Sequence, residues 1–312
     1  MCVLKDIGIG QTQKVEAALL KRAEERKTKT GKSYLVLTIT DGETEIQANL
    51  WDKSMSDLQV SPGTAIMAFI RCEEYEGRKK YTVNSYGPAP GVDPTSFVRI
   101  APLDPEGMWQ YLYSLTERVP EDIRGVVQLL WTESKERLLY FGAAQKVHHT
   151  YLGGLLYHLY RLTNFAVSAA QQFGMDEGMM IAGAMMHDIG KVRELITGDL
   201  GDVEYTFSGT AIGHTVMGLE MLTEARVRLG LRKTENFVML ENMVASHHLD
   251  PEKGAASRPV TKEAYCLAVL DNLDSKMDLY DSVLADTEPG KLSDRQVYLN
   301  GAFVYRPLSD VR

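Results

Sequence analysis

Seven histidines, His148, His149, His158, His187, His214, His247 and His248, crowd into about a third of a 312-residue chain, and none falls before or after them. The sharpest element among them is the run from Ala182 to Lys191, an apolar stretch that ends in His187-Asp188 and then Gly190-Lys191. A carboxylate beside an imidazole at the end of a buried helix is costly unless positive charge sits there, and a divalent metal is the usual answer. The dipeptide alone is weak, because a helix end whose Asp accepts backbone N–H groups reads the same way.

Its company changes the weight. His158 lies three residues after Leu155 and four before Leu162, on the apolar stripe of its own segment. His214 sits in the first turns of another striped segment, His247-His248 closes a third, and Asp271 follows the apolar run 268–270. Taken singly, each is better read as a satisfied core histidine or a capping aspartate. Five segments that each bury an imidazole or carboxylate would cost on the order of several kcal/mol per group without a shared cation or a full hydrogen-bond network. Mixed imidazole and carboxylate ligation suits Mn²⁺ or Fe²⁺ better than Mg²⁺, and ligand type alone does not choose among divalent ions.

Several neighbours stay open. His248 and Asp274 are one register step from His247 and Asp271, so either could exchange roles with its neighbour; His247 and Asp271 are favoured as ligands, with Asp274 supporting a ligand or facing substrate. His148 and His149 precede Gly153-Gly154 and either reach the cleft mouth or form an exposed pair with no role. Lys191 either answers a helix dipole or offers its ammonium to negative charge at the site.

The elements that must position these residues follow from the patterning. With 44% hydrophobic and 24% charged residues the composition is that of a globular protein, long enough for two domains. Residues 12–86 read as about five strands. The run Tyr34 to Thr40, the turn Asp41-Gly42 and the alternating Glu45 to Trp51 form a hairpin; Pro62-Gly63 and Glu76-Gly77 punctuate two more strands. This predicts a small antiparallel β-barrel of the OB type over residues 1–87. Five prolines at 88, 90, 94, 102 and 105 mark residues 88–107 as a linker. From there to residue 312 the period is helical, predicting an all-α domain.

The net charge of −8 argues against non-specific nucleic-acid binding through bulk positive charge. Residues 1–100, however, carry 14 Lys and Arg against 13 Asp and Glu, leaving 20 against 29 for the rest. The acidity belongs to the helical part. Lys32, Tyr34, Trp51, Arg71, Arg78 and Lys80 interleave rings and cations in the manner of surfaces that stack bases and track phosphates. The bland reading makes Tyr34 and Trp51 barrel core and Arg78 to Lys80 a solvated turn. Three scattered cysteines show no CxxC spacing, no apolar run approaches the roughly 20 residues of a membrane span, and the N-terminus lacks a signal-peptide pattern; a cytoplasmic protein is expected. No GxxxxGK[ST], GxGxxG or GxSxG motif is present.

The order His, His-Asp, His, His, Asp resembles the HD superfamily of metal-dependent phosphohydrolases. The strings HHTYLGGLLYHL, HDIGK, SHH and DNLDSKM, behind an OB-like hairpin and a proline-rich strap, are similar to the YhaM family of bacterial 3′-5′ exoribonucleases over about residues 10–290. That resemblance implies that His158, His187, Asp188 and Asp271 hold one metal and His214 and His247 a second, with Asp188 bridging. It also implies that Lys191 faces the site and that manganese is the expected ion, two per subunit, with Fe²⁺ or Mg²⁺ as alternatives. The implied reaction is attack by metal-bound hydroxide on the terminal phosphodiester of single-stranded RNA, or also DNA, releasing nucleoside 5′-monophosphates. The barrel is expected to guide the strand, and the subunits to form a homo-oligomer. Two departures stand out: Tyr157 occupies the place of an expected acid, and Leu159 that of a small hydroxyl residue. The competing readings are a phosphohydrolase of free or cyclic nucleotides and a nucleic-acid-binding protein with a vestigial metal site.

Overall fold

A computed structural model of the chain describes residues 4–75, 77–141, 151–198 and 203–308, with the side chains of Arg78 and Lys253 outside that description. The chain divides into two compact units, the first ending at Arg99 and the second running from Ile100 to Thr197 and onward from Val203.

The first unit is a five-stranded closed barrel in the order β1-β2-β3-β5-β4, with β1 at Thr12–Lys27, β2 at Ser33–Thr40, β3 at Glu45–Trp51, β4 at Thr64–Tyr75 and β5 at Arg78–Pro88. β1 is 16 residues long because it serves two neighbours, pairing with β4 through Thr12–Leu20 and with β2 through Leu19–Lys27. Register shifts at Val15/Ala18 and Leu20/Arg22 let it bend from one sheet face to the next. The barrel is antiparallel except at one seam: β3 and β5 run parallel, through Ala48 with Tyr81 and Asn49 with Thr82. Period-2 alternation then sorts the faces. Ile46, Ala48 and Leu50 of β3 join Leu35, Leu37, Ile39, Ile66 and Ile70 in the core, and Glu45, Gln47 and Trp51 point out.

The second unit holds α1 (Pro105–Leu115), α2 (Glu121–Glu133), α3 (Lys135–Tyr140), α4 (Gly154–Phe173), α5 (Glu177–Met186), α6 (Lys191–Glu194), α7 (Phe207–Arg228), α8 (Glu235–Ser246) and α9 (Lys262–Asp286). The first helix starts inside the predicted linker. Pro105 takes the first helical position, where its missing N–H is no loss, and Asp104 accepts from Gly107 N at 2.8 Å. The unit is not wholly helical: β6 (Leu195–Thr197) and β7 (Val203–Tyr205) pair antiparallel directly after α6. The β-branched Ile196, Thr197 and Val203 sit too close to the end of a four-residue helix to show a period of their own.

α5 is the centre of the unit. Every residue from Gly178 to Met186 is buried, so the helix is apolar on all sides and carries no stripe. It packs against α2, α4, α8 and α9. Asp176 caps its start by accepting from Met179 N at 2.9 Å, a contact worth about 1 kcal/mol. Its C-terminal end delivers His187 and Asp188 into the interior with the four other elements around them.

Candidate metal centre

His158 projects from α4, His187 caps the C-terminal end of α5, His247 caps that of α8, and Asp271 and Asp274 lie one turn apart on α9. His214 needs a break in regular structure. Gly213 adopts φ 74° and ψ 158° inside α7, a conformation essentially reserved for glycine. The kink frees the His214 N–H to donate to Glu194 Oε1 at 2.9 Å. α6 and α7 also approach closely: a Cβ on Gly190 would overlap the His214 carbonyl oxygen and stand 2.7 Å from Gly218 N.

Each of four imidazoles is anchored outward through Nδ1. His187 Nδ1 donates to Ala184 O at 3.0 Å and His247 Nδ1 to Val244 O at 2.7 Å, each to the backbone of its own helix. His158 Nδ1 is 2.8 Å from Asp274 Oδ2, and His214 Nδ1 is 3.1 Å from Glu194 Oε1. Donation at Nδ1 leaves an acceptor lone pair at each Nε2. Those four lone pairs converge on one another and on carboxylates. His158 Nε2 is 3.2 Å from His187 Nε2 and 3.3 Å from Asp271 Oδ1. His214 Nε2 is 3.4 Å from His247 Nε2 and 3.1 Å from His248 Nε2.

Asp188 joins the two groups. Its Oδ2 lies 3.3 Å from His187 Nε2 and 3.7 Å from His158 Nε2, whereas Oδ1 lies 3.5 Å from His214 Nε2 and 3.7 Å from His247 Nε2. Buried Oδ1 has no hydrogen-bond partner among the described residues. Acceptors packed this closely repel unless cations lie among them, and the two clusters, His158-His187-Asp188 and His214-His247-His248, fit divalent metal binding. The local field agrees. Burial alone would lower the His158 imidazole, but Asp271 and Asp274 at its two nitrogens raise it to about 9, so in the metal-free protein a proton takes the place at Nε2 that a bound cation would fill. Burial opposes charge on Asp188, yet Lys191, His187 and His214 hold it well below the usual carboxylate range. Burial likewise opposes charge on Asp271, and His158 pulls it down. Burial pushes His247 and His248 down, which keeps them neutral.

The open alternatives separate by position. Asp271 faces Nε2 of His158 and Asp274 faces Nδ1, so the first looks into the cluster and the second stands behind it. His247 and His248 both turn Nε2 toward His214, and only His247 also meets Asp188. Lys191 opens the four-residue α6, with Nζ 2.8 Å from Asp188 Oδ2. His148 and His149 lie outside the described residues. Two supports escaped the sequence reading, Glu194, which is buried, and Arg161, which is partly exposed. Glu194 follows Lys191 by three residues and Arg161 follows His158 by three; that helical spacing was the available signal.

On the barrel, Tyr34 and Trp51 are cross-strand partners with ring centroids 4.7 Å apart. Lys80 Nζ lies over Trp51 at 5.2 Å and over Tyr75 at 4.8 Å. Trp51 is 40% exposed and Tyr75 58%, so these rings are surface and not core. Lys32 pairs with Asp52 at 3.6 Å, next to Trp51. Arg71 is engaged by Glu73 at 2.8 Å. The Arg78 side chain lies outside the described residues.

The HD domain family matches residues 155–276. Over most of its length the chain is similar to proteins named 3′-5′ exoribonuclease YhaM. It is 31% identical to that of Halalkalibacterium halodurans over 296 residues, 93% of this chain and 91% of the relative. It is 29% identical to the protein of Bacillus subtilis over 298 residues, 93% of each chain. With that of Listeria innocua it shares 28% over 315 residues, 97% of this chain and 98% of the relative. No helix among the described residues is long and apolar enough to cross a membrane.

Proposed function

Because the chain belongs to the YhaM family of 3′-5′ exoribonucleases, we propose that it is a metal-dependent hydrolase that shortens single-stranded RNA from the 3′ end. The observation that carries this reading is the buried Asp188 carboxylate, which turns one oxygen to His158 and His187 and the other to His214 and His247. His158, His187, Asp188 and Asp271 would hold one ion; Asp188, His214 and His247, with His248 beside them, would hold the other. Bound there, a pair of divalent ions supplies Lewis acidity toward the phosphate and a nucleophilic water at neutral pH. Manganese is the ion we assign, on the family resemblance and the imidazole-rich donor set.

The chain's own groups do the rest. Lys191 keeps a buried cation against Asp188 and offsets the negative charge that grows on the phosphate oxygens as the water attacks. Hydrolysis breaks the bond from the last phosphorus to the 3′-oxygen of the penultimate nucleotide, and a nucleoside 5′-monophosphate leaves. Tyr34, Trp51 and Lys80, joined by Tyr75, form the surface that we assign to the strand, where each stacked base is worth about 1 to 3 kcal/mol. Lys32 contributes charge at its margin, and the ion pair with Glu73 leaves Arg71 a smaller part. Single-stranded DNA is a second polymer substrate in this reading. Cytoplasmic residence rests on the scattered cysteines, and assembly into a homo-oligomer on the family resemblance.

The test is digestion of matched 5′-labelled and 3′-labelled oligoribonucleotides in Mn²⁺. Labelled mononucleotide released first from the 3′ label, with a ladder of shortening products from the 5′ label, is the expected result. Intact oligomers beside hydrolysed free nucleotides would sink the proposal.

A further inference from the structure

The four inward-facing imidazoles are not anchored alike. His187 and His247 lean on backbone carbonyls of their own helices, which stay in place whatever a neighbouring side chain does. His214 leans on Glu194, whose Oε1 also accepts the His214 N–H. His158 leans on Asp274, a carboxylate from another helix that is completely buried. The other oxygen of Asp274, Oδ1, lies 2.9 Å from Arg161 Nε.

Arg161 is therefore a junction. It stands one turn after His158 on α4, so Asp274 of α9 meets two side chains of the same helix: Oδ2 is hydrogen-bonded to His158 Nδ1, and Oδ1 is ion-paired with Arg161 without an aligned hydrogen bond. Its guanidinium also lies over the Tyr157 ring, 5.6 Å from the centroid, four residues earlier on α4. Tyr157 is the residue found where the family resemblance leads one to expect an acid. Here that position supplies a ring that holds Arg161 against Asp274.

We propose that Arg161 is a positioning residue for one of the two metal subsites, acting through Asp274 to fix the His158 imidazole. The inference rests on the two-ion reading above. Asp274 fixes His158 with Nδ1 outward and Nε2 toward Asp188 and Asp271, and Arg161 fixes Asp274. Partners that orient a metal-binding histidine typically change affinity about 10- to 100-fold when removed. No group of the second cluster, His214, His247, His248 or Glu194, pairs with Arg161 or Asp274 in the described contacts. Loss of Arg161 should thus weaken one ion and spare the other.

The experiment is calorimetric titration of the metal-free full-length protein with Mn²⁺, comparing the natural chain with Arg161→Gln, Arg161→Lys and Tyr157→Leu. Expected are two equivalents in the natural chain, with one weakened about tenfold or more in Arg161→Gln and the other unchanged. Arg161→Lys should recover part of the loss, since an ammonium can still meet Asp274; Tyr157→Leu should give a smaller loss in the same equivalent. In parallel, the Mn²⁺ concentration for half-maximal hydrolysis should rise in Arg161→Gln while the rate at saturating Mn²⁺ stays near that of the natural chain. Unchanged titration of Arg161→Gln overturns the inference alone. An equal loss at both equivalents with a lowered melting temperature of the metal-free variant also overturns it, marking Arg161 as structural. A natural chain that takes up no Mn²⁺ overturns the metal reading and this inference together.

Discussion

Gly190→Ala adds one methyl group at the point where α6 begins and α7 passes. The added carbon would overlap the His214 carbonyl oxygen and stand 2.7 Å from Gly218 N and 2.8 Å from the His214 carbonyl carbon, where ordinary contact begins near 3.4 Å. Clearing the Gly218 nitrogen alone takes about 0.7 Å, and the overlapped carbonyl takes more. The neighbours are backbone atoms, so no side chain can swing aside. α7 must move away and carry His214 with it, while His158, His187 and Asp271 keep their anchors on other helices. Overpacking of this kind costs about 1 to 3 kcal/mol of stability. A displacement approaching 1 Å at a reacting centre costs on the order of 100-fold in rate. The assay is release of mononucleotide from a 3′-labelled oligoribonucleotide in Mn²⁺, run beside thermal unfolding of the metal-free protein. The expected variant stays folded, melts lower and has lost at least about tenfold in rate. A variant with the rate and melting temperature of the natural chain would refute the close approach and the dependence of the centre on it.

Asp188→Ala should remove hydrolysis to below a hundredth of the natural rate, on the order expected for a lost catalytic group, while oligonucleotide binding measured by fluorescence anisotropy persists; a tenth of the activity retained would end its bridging role. Trp51→Ala should weaken oligonucleotide binding by about 1 to 3 kcal/mol, or roughly 5- to 150-fold, and leave hydrolysis of bis-p-nitrophenyl phosphate unchanged; equal loss of both would make the ring structural. Chelation should abolish activity and Mn²⁺ restore it. At about 100 times its dissociation constant each ion should add about 2.7 kcal/mol to the helical unit, raising its melting temperature by roughly 5 to 10 °C. No shift in a scan with Mn²⁺ would count against a built site.

Much of this cluster is legible in the sequence because its residues sit at the ends of apolar runs, where a charged or imidazole side chain has few other reasons to be. His187-Asp188 after Ala182 to Met186 and Asp271 after 268–270 are of that kind. The choice between Asp271 and Asp274 is not, because residues three apart share a helix face; they differ only in which end of the His158 ring they meet. Glu194 and Arg161 act on residues that are distant in sequence or unmarked by composition. The kink at Gly213 reads as one continuous helix from either side, since a single Gly inside a helical pattern is tolerated. In the barrel, alternation along β2 and β3 gives the hairpin and its register. The parallel seam between β3 and β5 joins strands about 30 residues apart and leaves no local signal.

His158, His187, Asp188, His214, His247 and Asp271, the residues proposed to hold the two ions, are supplied from α4 onward in the second unit, the last by α9. Domains take shape from the N-terminus as synthesis proceeds, so a growing chain displays the barrel and the His-Asp motif before the carboxylate of Asp271 exists. With the ions held as proposed, the donor set stays one carboxylate short until α9 has been made, and a chain cut upstream of α9 would lack it.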